Sequence, residues 1–232
     1  LGGSDAAKVL ATGTSTVALV PGSLGAIWAY RRELSHLKSW IRLLMPVSIV
    51  GGGVGALAVV ALPPMYFAML VPWLILMATL LFALQPTITH WTGLGREQKK
   101  PARAAQLGVI AFQFLVAVYG GYFGAGIGIL MLSALAMLGL TNIHAMNGLK
   151  SLLAAGINTV ASAVFMAEQE VHWPFALLMA TGAILGGLVG GTAAQRVNRD
   201  LVRRLVVLIG LLLASYYFYG EWAYRRASAP TM

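Results

Sequence analysis

Lys150 is the residue whose setting most demands a chemical explanation. Between Asn142 and Phe165 it is the one charged side chain, about two helical turns into an otherwise apolar run. At ~1.5 Å of rise per residue that is a depth of ~12 Å. A cation held at such a depth in a bilayer costs at least ~2.5–3.5 kcal/mol, so it marks a functional position by default. The competing reading is that its long chain snorkels to the headgroups. Asn147 lies three residues earlier and shares its helix face. Asn158 adds a second amide where apolar residues would suffice. A buried ammonium with no carboxylate nearby suits a negatively charged solute.

Two further groups of residues could serve the same chemistry. Gly120-Gly121-Tyr122-Phe123-Gly124-Ala125-Gly126-Ile127-Gly128 places five glycines in nine residues, each weakening a helix by up to ~1 kcal/mol relative to alanine. Such a segment can unwind at membrane depth and offer free backbone N–H groups and a helix N-terminus to an anion. Alternatively, its glycines let two helix backbones approach. In Gly186-Gly187-x-x-Gly190-Gly191 close packing is the preferred reading. In Ala11–Thr16, A-T-G-T-S-T, the hydroxyls of Thr14 and Ser15 could line the wall opposite Lys150, or simply bond back to carbonyls of their own helix.

Other chemistries lack their parts. All seven carboxylates (Asp5, Glu33, Glu97, Glu168, Glu170, Asp200, Glu221) fall in loops or at span ends, so no buried carboxylate is expected for catalysis or for proton or sodium coupling. The four histidines are scattered and cysteine is absent, which removes metal-ligand clusters and disulfides. The glycine stretch has no Walker Lys-Ser/Thr, so no nucleotide or other cofactor and no enzymatic activity is expected.

Positioning these residues is a task for membrane helices. Hydrophobic residues make up 59% of the 232, charged residues 10%, and mean hydropathy is +0.79, against roughly 25% charged in soluble domains. No Asp, Glu, Lys or Arg occurs between Arg42 and Arg96, or between Arg103 and Lys150. The apolar runs are continuous rather than alternating, which indicates helices and not barrel strands. Spans are expected at Lys8–Tyr30, Trp40–Ala61, Met65–Leu84, Asn142–Phe165, from His172 to about Ala194, and at Leu201–Tyr219. Ala104–Leu140 is expected as two shorter helices around a broken or hairpin middle. The net charge of +9 does not signal nucleic acid, because twelve Lys and Arg cluster between spans in the positive-inside manner: Arg31, Arg32, Lys38, Arg42; Arg96, Lys99, Lys100, Arg103; Arg196, Arg199, Arg203, Arg204.

An internal repeat organises the spans. A shift of 134 residues sets Leu43-Leu44-Met45 on Leu177-Leu178-Met179, Gly52-Gly53 on Gly186-Gly187, and Gly22 on Gly156. The chain divides into a first repeat (1–95), a cytoplasmic linker (96–103), a second repeat (104–220) and a tail (221–232). Under this repeat, a glycine-rich partner of Ala104–Leu140 is expected before residue 1. If Ala104–Leu140 leaves and returns on one side, all twelve clustered cations lie inside and Glu168 and Glu170 outside, with Arg225 and Arg226 the exceptions; a single crossing would put Arg196, Arg199, Arg203 and Arg204 outside. The charge pattern therefore favours a hairpin and two inverted halves.

GGYFGAGIGILMLSALAMLGL followed by AMNGLKSLLAAGINTVASAVF, an acidic turn, V-H-W and GAILGGLVGG resembles the TauE/SafE family of sulfite-exporter membrane permeases, over about Tyr119–Arg204. The first half fits more loosely through A-T-G-T-S. The resemblance implies multi-pass proteins of the bacterial inner membrane that move small anions, often sulfite, sulfonates or other sulfur compounds. Gly124, Gly126, Gly128, Asn147 and Lys150 match the family's most recognisable positions. The resulting expectation is an all-α polytopic bundle of two inverted repeats, acting as a secondary transporter. Its substrate-binding residues would be Lys150, Asn147, Gly124, Gly126, Gly128, Thr14, Ser15 and Asn158, with no metal and no nucleic acid, and its partners the anion and membrane lipids. The pattern leaves oligomeric state open. The alternative is a non-transporting membrane scaffold or assembly protein, in which the glycines only pack.

Overall fold

The computed structural model describes residues 2–91, 103–137, 140, 142–193, 204 and 207–219. These are helical apart from short turns. In order they form α1 (Gly2–Ala29), α2 (Arg31–Ser35), α3 (Lys38–Ala61), α4 (Pro64–Trp91), α5 (Arg103–Tyr122), α6 (Ile127–Met137), α7 (Ile143–Ala167), α8 (Trp173–Ala193) and α9 (Val207–Tyr219). No strand occurs among the described residues. Among them, Lys38–Ala61 and His144–Ala167 are long and apolar enough to cross a bilayer, and the other apolar helices are shorter. The linker at 96–103, apart from Arg103, and the tail at 221–232 lie outside the described residues.

Local chemistry accounts for two of the helix ends. Asn142 caps α7: its Oδ1 accepts from the backbone N–H groups of His144 and Ala145 at 2.9 and 3.2 Å, satisfying donors that a helix start leaves free. Pro63-Pro64 ends α3 in an extended residue, Leu62. Two helices depart from the expected spans: α1 starts six residues before Lys8, at Gly2, and α4 runs seven residues beyond Leu84 to Trp91. The latter helix continues through Pro86.

Glycine contacts give the helix directions. Gly156 of α7 faces Met45 and Ile49 of α3, Gly52 faces Ile157, and Gly53 faces Val160, so α3 and α7 run the same way. Gly51 meets Ala117 and Gly55 meets Tyr122, so α5 also runs with α3. Since α5 and α7 are parallel, the chain between them must turn back, and α6 is the returning arm of a hairpin. α1 is opposed to α7: Gly13 meets Phe165 near one end, while Gly148 meets Tyr30 and Leu34 near the other.

Two apolar clusters hold these helices together. The larger joins Leu44 of α3, Val116 and Ala117 of α5, Met131 and Leu135 of α6, and Leu149, Leu153 and Ile157 of α7. The smaller joins Val9, Ala56, Val59, Phe67, Val71, Ala161 and Phe165. One polar contact stitches the first, where Gln113 Nε2 donates to Ser48 Oγ at 3.0 Å, both fully buried, a helix-to-helix bond of the kind membrane bundles use in place of a hydrophobic drive. On the outside the pattern inverts: Trp73, Phe175, Leu177, Leu178, Leu185 and Tyr216 are each more than half exposed. An apolar surface of this extent belongs against lipid.

Candidate functional site

The glycine-rich stretch does three different things. Gly120 and Gly121 still belong to helix: a methyl at Gly120 would press on Ile127, and one at Gly121 would collide with the backbone of Gly52. These two serve close approach. Gly124 and Gly126 take φ of 80° and 77°, in the left-handed region that costs a residue with a Cβ roughly 1–2 kcal/mol, and the helix breaks there. Gly128 opens α6 and faces the side chain of Lys150. The unwound and packing readings are therefore both correct, for different glycines.

Tyr119 organises the break, and the sequence reading missed it. Its carbonyl accepts from the N–H groups of Phe123 and Gly124 at 2.9 and 3.2 Å, and its hydroxyl donates to the carbonyl of Ala125 at 2.6 Å. The available signal was a tyrosine immediately before a glycine cluster, with a hydroxyl long enough to reach backbone that the break leaves unpaired.

Lys150 lies against the returning arm of the hairpin. Its Nζ donates to Asn147 Oδ1 at 3.2 Å, and a Cβ built on Gly128 would stand 3.5 Å from its Cδ and 4.0 Å from its Nζ. The ammonium is thus held beside the first turn of α6, where helix N–H groups carry a partial positive charge. Lys150, Asn147 and Gly128 come together, with Gly124 and Gly126 in the break that starts the same arm.

Three other expected site residues do not join them. Thr14 and Ser15 lie near the opposite end of α7. Thr14 Oγ1 accepts from the backbone N–H of His172 at 2.9 Å and donates to the carbonyl of Leu10 at 2.6 Å, and Ser15 bonds back to Thr12. Their neighbour Gly13 meets Phe165 and the carbonyl of Glu170, and Phe165 is fifteen residues from Lys150, ~22 Å along the helix. Because α1 is antiparallel to α7, this stretch is a socket for the α7–α8 turn and not a wall facing the lysine. Asn158 is half-buried on α7, eight residues beyond Lys150, about 12 Å by helix rise, too far to share one small anion with the ammonium. Replacing Thr14 by valine should lower the melting temperature, by removing a buried acceptor worth about 1–3 kcal/mol, while leaving solute flux per folded molecule unchanged.

Two more expectations need correction. Glu33 carries a buried oxygen, Oε2, with no hydrogen-bond partner among the described residues. α2 packs on α7 with Leu34 buried against Gly148, and this draws the adjacent glutamate inward, so a loop position in sequence is partly interior in the fold. At Gly186 a methyl would meet nothing within 4 Å, so close packing inside the bundle does not explain that glycine.

The family model described as Sulfite exporter TauE/SafE matches residues 6–217, nearly the whole chain and both sides of the glycine break. The chain belongs to the TauE/SafE family. It is therefore a member of a family of membrane transporters and an integral membrane protein. Two relatives are each named as a probable membrane transporter protein. One, from Haemophilus influenzae, is 26% identical over 215 residues, covering 91% of this chain and 81% of its own length. The other, ORF9 from a Sinorhizobium species, is 28% identical over 208 residues, covering 87% of this chain and 75% of its own. No solved structure matches the chain. In this TauE/SafE protein the glycine break and the lysine are parts of one hairpin-and-helix unit, α5–α6–α7.

Proposed function

We propose that this TauE/SafE protein is a secondary transporter of a small anion of the sulfite or sulfonate kind, working in the inner membrane of a bacterium. The observation that carries this reading is Lys150 lying beside Gly128, at the start of α6 and within reach of Asn147. An ammonium, an amide and a helix N-terminus converge there, and an oxyanion can use all three. The amide oxygen that now accepts from Lys150 leaves the Asn147 NH₂ to donate to a bound solute.

Reciprocal packing supports an arrangement of two inverted halves. Gly22 of α1 packs on Ala183 of α8, and Gly156 of α7 packs on Ile49 of α3. The 134-residue shift turns the first pair into the second, since Gly22 maps to Gly156 and Ile49 to Ala183. Gly13 sits under the turn after α7, and Gly148, one place beyond its shifted position of 147, sits under Tyr30 and Leu34 after α1. With no ATP-binding motif in the given residues, an ion or solute gradient would supply the energy.

The test is flux from proteoliposomes loaded with sulfite, methanesulfonate or acetate, against choline as a cationic control. Saturable release of at least one oxyanion, with choline retained, is the expected result. Retention of every anion by correctly folded protein would remove the transporter reading for these solutes and favour a scaffold.

A further inference from the structure

A crevice of about 270 Å³ runs between α4 and α9 and ends on the glycine break, lined by Ile75 and Ala78 of α4, Ile209 and Leu213 of α9, and Phe123 and Ala125 of the break itself. We propose that it is a binding site for one acyl chain of a bilayer lipid. Its lining is apolar, and the one side-chain hydroxyl in it, that of Thr79, is spent on the carbonyl of Ile75 at 2.7 Å. A water molecule needs two to four polar partners to occupy a cavity stably, so this space is unsuited to water and to an anion. The crevice is open on one side, and its mouth continues into the lipid-facing surface: Ile209 and Leu213 are about half exposed, as are Trp73 and Leu80 on α4. A polymethylene chain from the surrounding bilayer is the occupant that fits such a lining and reaches it without crossing water.

The site goes beyond solute binding. Phe123 and Ala125 flank Gly124, whose positive φ makes the break, and the Ala125 carbonyl is the one clamped by Tyr119. A chain seated there touches the backbone that must move if the hairpin moves, so lipid occupancy stabilises whichever state of the break leaves the crevice open.

The experiment uses brominated phospholipids, whose acyl bromines quench tryptophan on contact. The six native tryptophans are replaced by phenylalanine, and Phe123→Trp is introduced as the sole reporter in phosphatidylcholine vesicles. A protein keeping only the lipid-facing Trp73 gives full quenching, and Phe165→Trp, at a fully buried position, gives the unquenched reference. Emission from Trp at position 123 is expected to fall on bromination as far as that of Trp73 and to be unaffected by iodide in the water phase. Adding Ala78→Phe, which fills the crevice, should return it toward the level of the Phe165→Trp reference. Insensitivity to bromination, or quenching by iodide, would overturn the proposal, the latter making the crevice part of an aqueous route. Should Ala78→Phe fail to fold, the Phe123→Trp reporter alone decides. The result does not depend on which solute is carried, so it is separable from the flux assay.

Discussion

Replacing Lys150 by alanine should lower anion flux in proteoliposomes at least ~100-fold, since an ammonium ~4 Å from an anion contributes ~4 kcal/mol at an effective dielectric constant near 20. Lys150→Gln separates charge from packing. Glutamine can still span part of the space against Gly128 and hydrogen-bond Asn147, but it brings no charge, so its flux should fall nearly as far as that of alanine. Lys150→Arg should keep a measurable fraction, because the charge persists while its planar donor fork suits the pocket differently. Both neutral variants should express and melt like the parent or better, because removing a part-buried cation relieves its desolvation. Wild-type flux in Lys150→Gln would mean that the lysine is a structural filler, and the proposed site would fall with it.

The largest stability effect is expected at Gly121, where valine should lower the melting temperature in detergent by at least about 5 °C. The added carbon would run into the carbonyl oxygen of Gly52, with the Gly52 carbonyl carbon 2.7 Å and its Cα 2.9 Å away. Backbone on both sides cannot yield as a flexible side chain can, so α3 and α5 must separate. Overpacking of this kind costs roughly 1–3 kcal/mol or more, and each kcal/mol moves the melting point of a chain this size by about 2–4 °C. Separation would also strain the Gln113–Ser48 bond further along the same crossing. Gly186→Val is the matched control: a methyl there meets nothing within 4 Å, so the folded monomer should melt as before. If Gly121→Val melts like the control, the close α3–α5 crossing described above is wrong.

Much of this protein is written along the chain. Two long windows without a charge exclude an ordinary soluble domain, because a soluble surface needs charges at a frequency these windows lack. The cluster from Gly120 to Gly128 marks a helix break, because helix propensity is a local property of the backbone. Lys150 stands out because its cost depends only on its depth in an apolar run, and depth can be counted in residues. Asn147 could be paired with it from helix periodicity alone, and the Nζ–Oδ1 contact at 3.2 Å agrees with that pairing.

What the chain alone left undecided are relations between residues far apart in it. Thr14 looks like a candidate ligand until α1 is seen to oppose α7, which puts its hydroxyl on the N–H of His172, 158 residues away. The glycines from Gly120 to Gly128 look alike in sequence, and only the helices packed around them separate Gly121, which admits Gly52, and Gly120, which packs on Ile127, from those that turn the chain and the one that faces Lys150. Glu33 reads as a loop carboxylate, yet one of its oxygens is buried because Leu34 is drawn in against Gly148. Periodicity and hydropathy are sums over neighbours in the chain, so they assign helices and depths. The direction and contact of one helix against another are set by side-chain packing between distant segments, and only the tertiary structure decides them.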